Sequence, residues 1–252
     1  MKKVVNFNLT YHYFEGLEAY PKLRHGVFAR GGPKGRDMTF SYSKDVNPEQ
    51  IYENFRLAEA ALGLGPSSPI GQVHGRDILE LKRGQIYQPS SPSEILSGYD
   101  AIIGFPNQAL ALRLGDCQGI MLFDPKQNLL ALVHSGWRGT VQNILGHTIE
   151  RLINYYSCDP QALIARGAPS LGPCCAEYKN YQSEFPPHLW SFGRKEDFLF
   201  DFPSISLSQL TRAGLKEENI DLKAPCTRCS PDFYSHRRGE THRFLLLCGV
   251  VE

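Results

Sequence analysis

Four apolar runs at 101–104, 109–114, 119–123 and 129–134 follow one another with only short polar or turn-forming breaks between them. They read as β-strands. Several carry Ala, Ile, Val and Leu at consecutive positions, so both faces of each strand are apolar, and the sheet they build must be covered on both sides. Asp124-Pro125 followed by Lys126-Gln127-Asn128 separates the last two runs and predicts a hairpin. Further strand candidates lie at 70–74, 162–166, 198–202, 219–223 and 243–251. Helices and strands alternate irregularly, which points to an α+β protein rather than a regularly wound parallel sheet.

Two helices are signalled. Asn47 can cap the first, Pro48 suits its first turn, and Ile51, Phe55, Ala58 and Leu62 share one face, with Gly63 placed to end it. The second spans about 140–156, with Ile144, Leu145, Ile149, Leu152 and Ile153 as its apolar stripe. Breaks at 31–33, 63–69, 88–92 and 186–187 are short and read as surface loops, so the reading is one domain over 1–252.

A chain of 252 residues can bury a core without staples. Its formal net charge of +1, with no basic block, gives nucleic acid no electrostatic footprint. After Met1-Lys2-Lys3 the apolar run soon turns polar at Asn6, Asn8 and Thr10, too early for a signal-peptide core. No stretch approaches the roughly 18 apolar residues of a membrane span. Seven scattered cysteines do not make a disulfide framework, so the expectation is a reducing cytoplasm with mostly buried thiols.

His74, Cys117 and His134 fall at the ends of three strand candidates. If the 119–134 hairpin pairs residues whose numbers sum to about 251, Cys117 lies across from His134, with β-carbons about 4.5–5.5 Å apart. His74 closes its own run and is followed by Gly75, which permits a sharp exit. Two imidazoles and one thiolate form a borderline-soft set that suits zinc and also accepts copper. Three protein ligands leave the fourth tetrahedral position for water or substrate.

Gln72-Val73-His74-Gly75, Gly115-Asp116-Cys117, Val133-His134-Ser135-Gly136-Trp137-Arg138-Gly139 and Gly172-Pro173-Cys174-Cys175-Ala176-Glu177-Tyr178 occur in that order. Together with His25-Gly26-Val27-Phe28-Ala29-Arg30 and Phe233-Tyr234-Ser235-His236-Arg237-Arg238, they resemble the laccase-domain family over nearly the whole chain. That family was once called multicopper polyphenol oxidases and is now regarded as zinc-dependent purine nucleoside phosphorylases. The resemblance implies an α/β/β/α layered sandwich like that of cytotoxic necrotizing factor catalytic domains, with zinc on His74, Cys117 and His134. It also implies phosphorolysis of adenosine, inosine and methylthioadenosine, with adenosine deamination. Three features depart from the family pattern. Gly115 replaces the usual alanine, Asp37-Met38-Thr39 stands where the family has Ser-Leu-Asn, and His242 replaces a glycine.

Within that reading, Asp116 beside Cys117 is the nearest proton shuttle or, equally, an orienting group. Arg30, next to Gly31-Gly32, and Arg138 are candidates to hold nucleoside and phosphate. Trp137 packs the turn or stacks on a base. The paired Arg237 and Arg238 read as a solvated or salt-bridged end. The expected assembly is a monomer or a small homo-oligomer.

Two rival functions stand beside this one. A cysteine hydrolase would use Cys117 as nucleophile and His134 as base. Copper-dependent phenol oxidation would need many more than eight histidines for a multicopper cluster. Pro225-Cys226-Thr227-Arg228-Cys229 is half of the zinc base-deaminase signature, but no His-x-Glu accompanies it. A redox or second metal role for Cys226 and Cys229 stays open.

Overall fold

The structure is a computed structural model that describes residues 1–6, 9–32, 35, 37–42, 46–89, 91 and 94–252. Asn8, and Pro33 and Pro92 in two of the breaks read from the sequence, lie outside the described residues.

The chain opens with β1 (Lys2–Asn6), β2 (Leu9–Tyr13) and β3 (Leu23–Phe28), then α1 (Pro48–Leu62), β4 (Ser67–Pro69) and β5 (Ile78–Glu80). The middle holds β6 (Ala101–Gly104), β7 (Ala109–Leu114), β8 (Gln118–Asp124), β9 (Leu129–Ser135), α2 (Trp137–Val141) and α3 (Ile144–Tyr156). It closes with β10 (Ile164–Gly167), α4 (Tyr181–Glu184), α5 (Phe202–Arg212), β11 (Ile220–Asp221) and β12 (Phe244–Val250). Two mixed sheets result. One has the order β1-β2-β3-β12-β7-β4 and the other β11-β10-β8-β9-β6-β5.

The apolar strands now have a physical explanation, because alternate residues serve different layers. Val27, Leu110, Leu112 and Leu246 of the first sheet meet Ile102, Met121, Phe123 and Leu132 of the second in a core shared by the two sheets. The opposite face of the first sheet, with Ala109, Ala111, Leu245 and Leu247, is covered by Ile51, Phe55 and Ala58 of α1. Ile103, Ile120, Leu122 and Val133 on the outer face of the second sheet pack against Ile144, Leu145 and Ile149 of α3 and Leu210 of α5. No helix among the described residues is long and apolar enough to cross a membrane.

Helix α1 keeps the expected bounds. The Asn47 side chain accepts the Glu49 N–H, and Gly63 takes a left-handed φ of 64°. A cap of this kind contributes about 1 kcal/mol. The helix expected over 140–156 is two helices. Asn143, at φ 53°, breaks the run, and its side chain then caps α3 by accepting the Gly146 N–H. The 70–74 run is not a strand: β4 ends at Pro69, and His74 sits beyond it in a turn with φ 63°. The 198–202 run makes only isolated bridges before Phe202 begins α5, whose cap is Asp201.

His25 on β3 gives the fold a pH dependence. Its Nδ1 accepts the Phe14 N–H at 3.3 Å and its ring stacks on Phe14, so the folded chain needs the neutral imidazole. Burial, reinforced by Arg166, pushes its pKa down from 6.5 to about 4. A histidine whose folded pKa is depressed stabilises fully above its unfolded value, and that stability is lost as pH falls toward the folded one. Denaturant unfolding between pH 6.5 and 4 is expected to lose up to about 3 kcal/mol more in wild type than in His25→Gln. Equal slopes for the two proteins would remove His25 from the acid response.

Candidate metal centre

Strands β8 and β9 pair with Gln118 opposite Ser135 and Gly119 opposite His134. The pairing therefore lies two positions from the one expected, and Cys117 sits just before β8 rather than directly across from His134. A slip of two residues preserves the face, whereas a slip of one would reverse it. Cys117 and His134 therefore still meet, as diagonal neighbours. The place opposite Cys117 is taken by Gly136, where a β-carbon would lie 2.7 Å from His74 Cδ2 and 3.1 Å from Cys117 Sγ. Only glycine leaves the centre open there.

The structure brings His74, Cys117 and His134 together, with one ligand atom from each lying within 4.8 Å of the others. Cys117 Sγ is 3.7 Å from His74 Nε2. The two imidazoles stand edge to face, 5.0 Å between centroids. His134 is buried, Cys117 half-buried and His74 exposed, so the group opens to solvent on one side.

Asp100, which the sequence reading missed, organises this group. Its carboxylate is fully buried just before β6 and accepts His134 Nδ1 at 2.7 Å, leaving the other ring nitrogen free. It also accepts the backbone N–H groups of Val73 (3.3 Å), His74 (2.9 Å) and Gly75 (2.6 Å), which holds His74 in its left-handed backbone conformation. Its own carbonyl accepts the His134 N–H at 2.7 Å. Burial opposes the charge on Asp100, but the His134 ring and these N–H groups outweigh it and lower its pKa. The only trace in the sequence is an acidic residue opening a fully apolar strand.

Without a metal the three groups favour separated charge. Burial pushes the Cys117 thiol up, yet the two imidazoles more than reverse this and hold it well below the ordinary thiol range. Burial lowers His134, and the Cys117 sulfur and Asp100 raise it above the usual imidazole value. The thiolate is the form a divalent cation requires, and a cation that binds there takes the place of the proton shared between the sulfur and the His134 ring. The donor set fits a borderline-soft divalent cation, such as zinc, in both chemistry and spacing.

A cavity of about 580 Å³ opens over the group. Asp116 is the only carboxylate among the described residues that line it, and Arg113, Arg138, Arg237 and Arg243 all line it. No carboxylate among the described residues forms an ion pair with these four arginines. Arg113 Nε is buried without a hydrogen-bond partner. Arg138 extends from α2, its guanidinium 4.2 Å over the Trp137 ring, and Trp137 itself packs near Phe185 while lining the cavity. Asp116, at φ 88°, accepts the Thr227 hydroxyl on one oxygen and the Arg237 N–H on the other, both at 2.6 Å.

Other candidates fall differently. Arg30 does not line the cavity. It pairs with Glu240 at 2.9 Å and lies 4.6 Å over the Tyr234 ring. The arginine pair divides, with Arg238 bound to Glu240 as a salt-bridged end and Arg237 on the cavity wall. The sequence reading also missed Arg113, Arg243 and Tyr178 as lining residues. A usable signal existed for Arg113, a lone charge inside an otherwise apolar strand.

Fold and site together define a mixed α/β protein of two sheets with a histidine–cysteine donor group beneath an arginine-walled cavity. The chain belongs to the multi-copper polyphenol oxidoreductase laccase family, whose model matches residues 23–250. It is 27% identical over 255 residues to the purine nucleoside phosphorylase YlmD of Geobacillus stearothermophilus, covering 95% of this chain and 92% of that one. A purine nucleoside phosphorylase of Bacteroides thetaiotaomicron is 26% identical over 256 residues, covering 94% of each chain. The crystal structure of YlmD from Geobacillus stearothermophilus superposes with a TM-score of 0.83 at 23% identity over 97% of each chain. The Bacillus licheniformis hypothetical protein YfiH gives the same TM-score of 0.83 at 20% identity over 98% of each. These two structures share the fold.

Proposed function

We propose that this protein is a zinc-dependent purine nucleoside phosphorylase that cleaves adenosine, inosine and methylthioadenosine with phosphate and also deaminates adenosine. The observation that carries the reading is the His74–Cys117–His134 group beneath a cavity walled by four arginines with no carboxylate partner among the described residues. Relatives from Geobacillus and Bacteroides that are named purine nucleoside phosphorylase support it.

His74, Cys117 and His134 would hold zinc, which supplies a Lewis acid at neutral pH. Arg138, with Arg113, Arg237 and Arg243, binds phosphate, an anion that needs several cationic donors to be held for attack. As an oxygen of that phosphate bonds to the sugar C1′, the bond to the purine nitrogen breaks, giving free base and the sugar 1-phosphate. Arg30, engaged with Glu240, lies outside this clamp in the ligand-free arrangement and is assigned to the nucleoside side only if Glu240 releases it. Asp116, the one carboxylate among the described residues on the wall, handles the proton during deamination, with Thr227 and the Arg237 N–H fixing its orientation. The domain acts as one unit over 1–252, with the necrotizing-factor-like layering. Its free thiols suit a reducing compartment, and we place it in the cytoplasm. No methionine lines the cavity to serve as a weak axial copper ligand, which disfavours phenol oxidation.

The test is incubation of zinc-loaded protein with adenosine, with and without phosphate, following adenine, inosine and ribose 1-phosphate. Adenine and ribose 1-phosphate that form only with phosphate, and inosine that forms without it, support the proposal. No turnover of adenosine, inosine or methylthioadenosine ends it.

One geometric feature favours a second reading. Cys117, His134 and Asp100 also form a nucleophile–base–orienter series, the arrangement of a cysteine hydrolase. That reading requires activity that survives chelation and is destroyed by alkylating Cys117. Loss of all activity on chelation and its return with zinc exclude it.

A further inference from the structure

We propose that Cys174, Cys175, Cys226 and Cys229 form a second metal site, a closed four-thiolate zinc centre that fastens one wall of the cavity. It stands apart from the His74–Cys117–His134 group and does not depend on the reaction assigned to that group.

Distant stretches of chain bring these cysteines together. Cys174 and Cys175 sit in the turn after Gly172-Pro173, and Cys226 and Cys229 flank Thr227-Arg228 some fifty residues later; the separation of Cys174 from Cys229 is 55 positions. All four sulfurs lie within 4.8 Å of one another. Cys175 Sγ is 3.5 Å and Cys174 Sγ 3.8 Å from Cys229 Sγ. A disulfide holds its sulfurs at about 2.05 Å. Zinc–sulfur bonds of about 2.3 Å set the corners of a tetrahedron about 3.8 Å apart, which matches the observed spacing. Four thiolates complete the coordination of zinc, so this site is structural, unlike the three-ligand group in the cavity.

The backbone around Cys226 favours a sulfur anion, because the N–H groups of Gly172, Arg228 and Cys229 face its sulfur. Arg238 Nη1 donates to the carbonyls of Thr227 (2.9 Å), Arg228 (2.9 Å) and Ser230 (3.1 Å), which fixes the 226–229 turn in place. Gly172 lies so close that a β-carbon there would be 3.0 Å from Cys226 Cβ. Zinc binding displaces the thiol protons to solvent as the zinc–sulfur bonds form, with no oxidation or reduction.

The site also has a structural consequence. Thr227, between Cys226 and Cys229, is fully buried, donates its N–H to Ser170 O at 2.9 Å and its hydroxyl to Asp116. A metal that clasps the two cysteine turns therefore fixes the residue that orients Asp116 beside Cys117.

The experiment is native alkylation of the full wild-type chain, purified under reducing conditions, with mass mapping of each cysteine before and after a zinc chelator. Cys174 and Cys229 are exposed, so an alkylating reagent reaches both unless a metal holds them. Chelation is expected to raise their labelling at least about tenfold, together with that of Cys226, and added zinc should reverse it. In parallel, the His74→Ala/Cys117→Ala double variant should retain one zinc per chain, and its cobalt form should show strong sulfur-to-metal charge transfer. Adding Cys174→Ser and Cys229→Ser should remove both signals. Labelling of Cys174 and Cys229 that is equal with and without chelator overturns the proposal. So does protection that yields to a reductant but not to a chelator, because that outcome marks a disulfide. Failure of nucleoside turnover with chelator-dependent protection intact would refute the proposed activity while leaving this site standing.

Discussion

Cys117→Ala is expected to abolish zinc binding in the cavity and lower nucleoside turnover by about a thousandfold or more, the several kcal/mol of transition-state stabilisation that a Lewis acid supplies. The sulfur is the one anionic donor of the three, and both imidazoles already favour its thiolate form. Removing it leaves two imidazoles and a hole beside Gly136, while both oxygens of the neighbouring Asp116 are engaged by Thr227 and the Arg237 N–H. Cys117 lies just before β8, half-buried and outside the apolar core clusters, so the fold should tolerate the change. The check is metal content by mass spectrometry, turnover, and unfolding on the same preparation. Undiminished zinc in the His74→Ala, Cys117→Ala and His134→Ala proteins alike would refute the ligand assignment.

Asp100→Ala should have the second largest effect, and it acts on stability as well as on the metal. The buried carboxylate satisfies the buried His134 ring and the part-buried N–H groups of His74 and Gly75. Breaking a buried pair of this kind costs about 3–5 kcal/mol, because the His134 ring remains buried without its acceptor. Zinc affinity should fall about 10–100-fold, the range found when an outer group that orients a ligand histidine is lost. Asp100→Asn keeps an oxygen acceptor of the same size but not the charge, and should fall between alanine and wild type in both measurements. Zinc titration paired with denaturant unfolding separates the two effects. An alanine variant with wild-type zinc affinity would show that His134 needs no orienting partner.

Local features of this chain could be read directly. Asn47, Pro48 and Gly63 bound α1 because capping and left-handed termination depend on a few adjacent residues. The runs at 101–104 and 109–114 became β6 and β7 with the same bounds, since Asp100, Pro106-Asn107 and Gly115-Asp116 bracket them with polar and turn-forming residues. Features that depend on distant chain could not be read so closely. The 198–202 run has strand composition, but Asp201 caps a helix there and Phe202 packs among Tyr178 and Phe185 instead. Asn143 broke one expected helix into two because its left-handed backbone lets α3 turn down onto the second sheet.

The candidate site divides along the same line. Residue type and motif alone picked out His74, Cys117 and His134, because few side chains can serve a soft divalent cation and these three recur in one family pattern. Their exact meeting required Gly136 to leave space and Asp100 to reach both histidines, and neither relation is encoded in spacing along the chain. Arg237 entered the cavity while its neighbour Arg238 turned to Glu240, a division set by one short turn. Four cysteines scattered from 174 to 229 became neighbours only when two loops were folded against each other. The sequence by itself determined which chemistry was available; the tertiary structure decided which groups share a volume small enough to perform it, because coordination and hydrogen bonding act over a few ångströms while sequence separation carries no distance.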